Sequence, residues 1–231
     1  MKMANVDLEH LDAGAAARAV LAEVREAGTV EQPDGTKVPV TANISQPNVQ
    51  ALQRVIADRQ PRTVVEIGMA HGVSTVTILQ SLAEVPGGRL ISIDPYIGWP
   101  TGREIALHQV QRAGMSDRHE HLPTFSHLAL PRLIEQGVQP DLIYIDGSHA
   151  FADVFVDFFF SDHLLNPGGV VAFNDAAWPD VFRVIRQVLK RADYRELDVG
   201  LPRVYRSRNS LYTLVKRLAG MSVYDRYFEK Q

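Results

Sequence analysis

The chain has 231 residues, 45% of them hydrophobic and 22% charged, the balance of a folded globular protein long enough for one full core and too short for two well-sized domains. Lys and Arg number 24 against 27 Asp and Glu, a formal charge of −3; the strong positive field that non-specific nucleic-acid binding uses is missing, so a small-molecule ligand is expected and nucleic acid is not. The absence of cysteine excludes disulfides, thiolate metal sites, iron–sulfur clusters and a cysteine nucleophile, and fits a reducing compartment.

Met1 to Asp7 shows no apolar run ahead of a small-residue cleavage site. The longest apolar cluster, Val154 to Phe160, is interrupted by Asp157 and is far short of a membrane span. The expectation is a cytoplasmic protein with no membrane contact. Leu8 to Glu26 has apolar residues three or four apart and reads as a helix. Thr29 to Ser45, with Pro33-Asp34-Gly35 and Pro39, reads as a loop or short arm, and Gln46 to Arg59 resumes helical spacing. Residues 1–61 are thus expected to be N-terminal helices and a substrate-side arm, and residues 62–231 the main core, in one structural domain.

From residue 62 short apolar runs alternate with helical spacing. Strands are predicted at Thr63 to Ile67, Arg89 to Ile93, His119 to Leu122, Asp141 to Ile145 and Gly169 to Phe173. Helices are predicted at Ser74 to Ala83, Gly102 to Arg112, His127 to Gln136, from Phe151 through Phe159, and at Asp180 to Arg191. Such repeats imply an α/β fold, a Rossmann-like doubly wound parallel sheet, because parallel neighbours need a crossover and the crossover is a helix. Tyr194 to Val199 and Ser210 to Val215 then read as an edge hairpin.

In such sheets ligands bind beyond the carboxyl ends of the strands. Those ends are Glu66-Ile67-Gly68, Asp94, Asp146-Gly147 and Asn174-Asp175. A packed sheet has no structural reason to gather a carboxylate at each. In the first loop, Glu66 to Thr75, Gly68 permits a tight turn, Gly72 lets backbone approach a ligand, and Ser74 or Thr75 can cap the next helix. The spacing is G-x-x-x-G, not the G-x-G-x-x-G of a dinucleotide site. A carboxylate at Glu66 would repel a pyrophosphate and attract an ammonium, which disfavours a dehydrogenase; an ordinary tight turn is the alternative. Asp94 is placed to accept ribose hydroxyls, or simply to start a turn with Pro95.

Val65-Glu66-Ile67-Gly68-x-x-x-Gly72-x-Ser74, Ile93-Asp94, Asp141 to His149 and Pro167 to Asp175 together resemble the class I S-adenosylmethionine-dependent methyltransferases. More narrowly, they resemble the small O-methyltransferases related to the catechol and caffeoyl-CoA enzymes, especially the bacterial natural-product branch, over about residues 45 to 216. The resemblance implies a seven-stranded, mostly parallel sheet with an antiparallel C-terminal strand, and S-adenosylmethionine as cofactor. It implies that Glu66, Gly68, Gly72 and Ser74 hold the methionine part and Asp94 the ribose, with Met69, Ala70, Pro95 and Asp146 among the cofactor contacts. Ser126 matches a serine beside the adenine, or caps a helix; His127 stands where the catechol enzymes carry an amide.

In the divalent-metal members of that family, an acid after the fourth strand and two oxygen ligands after the fifth hold the metal. Here these are Asp146, Asn174 and Asp175, with acid and amide in the reverse of the usual order, and Mg²⁺ or a similar cation is implied. Asp146 and Asp175 bonding backbone amides or substrate is the alternative. His149 stands where the catechol enzymes place a catalytic lysine; with Asp146 it forms the expected catalytic pair, His149 taking the acceptor's proton. His71 is a lesser candidate for the ligand carboxylate, or simply exposed; Trp99 and Trp178 are candidate walls of the adenine and acceptor pockets, or equally satellite packing residues; and the other histidines read as ordinary. Arg203, Arg206, Arg208, Lys216 and Arg217 form a basic cluster read as a solvated edge.

The resulting expectation is an O-methyltransferase acting on a hydroxylated small molecule of natural-product, sugar or phenolic type. A tRNA wobble-base O-methyltransferase and a non-catalytic cofactor-binding partner subunit are the alternatives, and a homo-oligomer stays open.

Overall fold

The computed structural model describes residues 8–41, 44–202 and 224–231. Helix α1 (Leu8–Ala27) leads into a two-stranded antiparallel arm, β1 (Thr29–Glu31) and β2 (Lys37–Pro39), where the sequence suggested a loop or short arm. Its turn is built by Asp34, whose carboxylate accepts the backbone N–H and the hydroxyl of Thr36. Helix α2 (Gln46–Arg59) starts at the Ser45 cap, with Pro47 in its first turn, and stops at Gln60 in the left-handed region.

The main sheet contains seven strands in the order β5-β4-β3-β6-β7-β9-β8. Strands β3 (Thr63–Ile67), β4 (Arg89–Ile93), β5 (His119–Leu122), β6 (Leu142–Ile145) and β7 (Val170–Phe173) run parallel. The central strands β3, β4, β6 and β7 are rich in β-branched and apolar residues because both faces are covered, whereas edge strand β5, His-Glu-His-Leu, is only partly buried. Val64, Leu90, Leu142 and Val170 enter one apolar cluster with α1, α2, α3 (Val73–Leu82) and α4 (Pro100–Arg112). Val65, Ile91, Ile143 and Val171, one residue along each strand, enter the other with α5 (Ser126–Glu135), α6 (Phe151–Leu164) and α7 (Pro179–Val188). Each buried aliphatic side chain contributes about 1.5–3 kcal/mol; a one-residue register slip would exchange the two sets. Helix α7 shows the sequence rule most plainly, burying Val181, Val184, Ile185 and Val188 at spacings of three and four.

The C-terminal edge differs from the expected hairpin. Strand β8 (Tyr194–Glu196) pairs with β9 (Arg226–Lys230), which runs antiparallel between β7 and β8. Ser210 to Val215, expected to be that partner, lies outside the described residues, as does the basic cluster from Arg203 to Arg217. Strand β9 escapes a hydrophobic-pattern reading because its ends are charged. The charges are paired, however: Arg226 with Glu196 at 2.7 Å, and Glu229 with Arg59 at 2.6 Å and with Arg195. Between them Tyr227 and Phe228 are buried on opposite faces of the sheet. Among the described residues no helix is long and apolar enough to cross a membrane.

Candidate active site

The loop after β3 is folded around Gly68. Its φ is 90°, its N–H is bonded to the Ile93 carbonyl at 2.9 Å, and a Cβ there would lie 2.2 Å from the Asp146 carbonyl oxygen. Only glycine lets three strand ends approach this closely. Gly72, with φ 80°, then turns the chain into α3. Asp94 shapes the same loop from the end of β4: one carboxylate oxygen accepts the N–H groups of Met69 at 2.9 Å and Ala70 at 3.1 Å, the other that of Tyr96 at 3.0 Å. The Tyr96 hydroxyl donates back to the Ala70 carbonyl at 2.6 Å. Asp94 is therefore a strut of the loop, with lone pairs still able to meet hydroxyls.

Glu66 sits deeper than a direct cofactor contact would. It is fully buried, and its carboxylate accepts hydroxyls of Ser74 at 2.6 Å, Thr75 at 2.7 Å and Ser92 at 2.7 Å. Burial outweighs these bonds and pushes its pKa up to about 7. This acid ties β3 to β4 and to the start of α3. His71 is also inside; its Nδ1 accepts the Thr41 backbone N–H at 3.2 Å, its ring lies 4.8 Å from that of Trp99, and burial lowers its pKa. It fastens the N-terminal arm to the loop.

These elements border a cavity of about 450 Å³, within the range of small-molecule sites. Gly68, Ala70, Asp94, Pro95, Ser126 and Asp146 line it, whereas Glu66, Met69, Gly72 and Ser74 do not. Trp99 lines it too, as the sequence suggested. Ser126 opens α5 one position inside the cap, which is Phe125, and its hydroxyl lies near Asp157 of α6. His127 and Asp153 also face the cavity.

The second half of the site lies at the ends of β6 and β7. Asp146 is held well above the usual carboxylate range by burial and by the neighbouring Asp225, Asp175 and Glu66. Asp175, in the left-handed region at φ 51°, brings Oδ2 to 3.6 Å from His149 Nε2, and the His149 ring stacks on Trp178 with centroids 5.4 Å apart. Asp225 belongs to this rim although it lies 81 residues beyond Tyr144. Its carboxylate accepts Asn48 Nδ2 at 2.6 Å, Tyr144 Oη at 2.9 Å and Asn174 Nδ2 at 3.1 Å, and burial pushes it up to about 8. Asn174 Nδ2 also donates to the Tyr144 oxygen at 3.1 Å. Both its N–H groups are thus used inward, which leaves the amide oxygen as its ligating atom.

Among the described residues no group of three or more His, Cys, Asp or Glu is arranged to hold a metal. A cation at this rim would need the Asn174 oxygen beside Asp146 and Asp175, and that donor set suits a hard ion. Asp225, Asn48, Tyr144 and Asp157 were not singled out as site residues from the sequence. For Asp157 a signal existed, a carboxylate interrupting an apolar helix.

Residues 65–176 match the family model of a methyltransferase domain. No curated protein matches the sequence. The fold is similar to that of the O-methyltransferase from Bacillus cereus in complex with SAH, with a TM-score of 0.68, 17% identity, and 94% of this chain and 91% of that chain covered. It is also similar to the O-methyltransferase TomG from Streptomyces achromogenes, involved in tomaymycin synthesis and solved with SAM, at a TM-score of 0.60 and 23% identity over 79% of this chain and 81% of that one. Residues 65–176 are thus similar to a methyltransferase domain, and the seven-stranded sheet with its glycine-hinged first loop is a fold shared with those O-methyltransferases.

Proposed function

We propose that the protein moves the methyl group of S-adenosylmethionine to a hydroxyl of a small molecule, of natural-product, sugar or phenolic type. The observation that carries this reading is the juxtaposition, along one rim, of a cavity walled by the Gly68 loop and Asp94 with the His149–Asp175 pair at the next strand ends. The solved neighbours that bind SAH or SAM support the cofactor assignment. The methionine part would lie against the Gly68–Gly72 loop, the ribose against Asp94, and the base beside Ser126.

In the reaction the hydroxyl oxygen attacks the sulfonium methyl; the carbon–sulfur electron pair returns to sulfur, and the hydroxyl proton leaves to His149. Asp175, 3.6 Å from the imidazole, stabilises the imidazolium that forms, and Trp178 fixes the plane of the ring by stacking. Asp146, Asp175 and the Asn174 oxygen would hold a divalent cation, Mg²⁺ or a similar hard ion, which when bound supplies Lewis-acid polarisation of the acceptor oxygen. Residues 1–61 act as helices and arm on the substrate side of a single domain whose core is residues 62–231; the Thr41–His71 contact supports that placement.

Titration calorimetry tests the cofactor assignment. Binding of S-adenosylmethionine and its demethylated product is expected, and a preference for NAD would overturn the reading.

A further inference from the structure

Helix α6 buries Val154 and Phe158, and between them carries a carboxylate, Asp157, at 1% exposure. The Ser126 hydroxyl lies near this carboxylate, yet Asp157 Oδ1 is buried and has no hydrogen-bond partner among the described residues. That contrasts with Glu66 and Asp225, whose carboxylates each accept at least three donors. An unpaired buried acceptor is costly, and a fold retains one where a ligand completes it. Asp157 lines the same cavity as Gly68, Asp94, Ser126 and Asp146.

The order of strands says which part of the ligand reaches it. Along the rim, Ser126 follows edge strand β5, Asp94 ends β4, and Gly68 follows β3. A cofactor with its amino-acid end at Gly68 and its ribose at Asp94 extends its base toward β5, where Ser126 and Asp157 stand. Resting on the cofactor reading above, we propose that Asp157 Oδ1 accepts an N–H of the adenine's exocyclic amine, and so selects a purine that carries this group. A carboxylate suits the task because it offers only acceptors once ionised. His127, exposed and stacked on Phe125 with centroids 5.4 Å apart, would cover the base from outside.

The experiment compares, by calorimetry at pH 8, the affinity for S-adenosylhomocysteine with that for its analogue in which hydrogen replaces the exocyclic amine. The parent protein is expected to prefer the amine-bearing ligand by about 10- to 100-fold, and Asp157→Leu is expected to bring the two within about threefold of each other. A parent preference below tenfold overturns the inference, and this measurement needs no variant. So does a preference that Asp157→Leu leaves intact, or a variant that weakens both ligands equally, the signature of a purely structural acid. If Asp157→Leu fails to fold, Asp157→Ser serves under the same criteria. A parent that binds neither ligand instead removes the cofactor reading itself.

Discussion

The two halves of the rim treat their carboxylates differently. At β3 and β4, Glu66 and Asp94 are supplied with donors: three hydroxyls for the first, three backbone N–H groups for the second. At β6 and β7 Asp225 also has donors, from Asn48, Tyr144 and Asn174, but Asp146 and Asp175 stand near it, and the neighbouring acids add to burial in raising the Asp146 and Asp225 pKa values. Satisfied acids hold a shape, and crowded ones store an affinity for a proton or a cation. On the proposed reading the first half is accordingly a preformed seat and the second the chemical end, where His149 meets Asp175.

The sharpest way to break this division is to remove the proposed base. His149→Ala is expected to lower kcat by about 10²–10⁴-fold while leaving cofactor affinity unchanged, and to abolish the acidic limb of the pH–rate profile. A variant that keeps that limb and loses less than tenfold would reduce His149 to a positioning role. Chelation acts on the same half: activity is expected to disappear with a chelator and return with Mg²⁺. Full activity after thorough chelation would leave Asp146, Asn174 and Asp175 as hydrogen-bonding residues alone.

Effects in the seat should be smaller and should appear in binding. Asp94→Ala removes the acceptor of three N–H groups and, on the proposed pose, of the ribose. About 1–3 kcal/mol of S-adenosylmethionine affinity is expected to go, about 10- to 100-fold, measured by calorimetry. Equal affinity in parent and variant would unseat the ribose assignment.

The smallest effect concerns stability. Glu66 has its folded pKa raised to about 7 from 4.5, so the folded state holds its proton more tightly than the unfolded chain does. Stability from this group is therefore lost as pH rises from about 4.5 to about 7. Relative to the parent, Glu66→Gln is expected to gain thermal stability across that window, read as the difference in Tm between pH 5 and pH 8. His119, whose pKa burial lowers to about 4, acts in the opposite sense in both proteins and cancels in the comparison. A variant whose Tm difference equals the parent's would place the Glu66 carboxylate in a more polar setting than its three hydroxyl partners provide.

Much of the fold was legible because it is periodic. Buried parallel strands are largely apolar runs and their helices repeat every three or four residues, so β3 and β4 fall on their predicted spans and α2 begins and ends as expected; the polar edge strand β5 also falls on its span, placed by the alternation of strands and helices around it. Gly68 was legible as a hinge, and Asp94, Asp146 and Asp175 as acids at strand ends, because local order along the chain places them there. What the sequence by itself determined was this succession of strands, turns and rim residues, since each depends on neighbours a few positions away. Tertiary structure alone decided that Glu66 faces three hydroxyls instead of the cavity, that Asp225 joins Asn48 and Tyr144, and that β9 enters beside β7 with its charges paired. Those outcomes depend on contacts such as the one from Asn48 to Asp225, 177 residues apart, and the burial and electrostatics that set a carboxylate's role arise only when such distant groups meet.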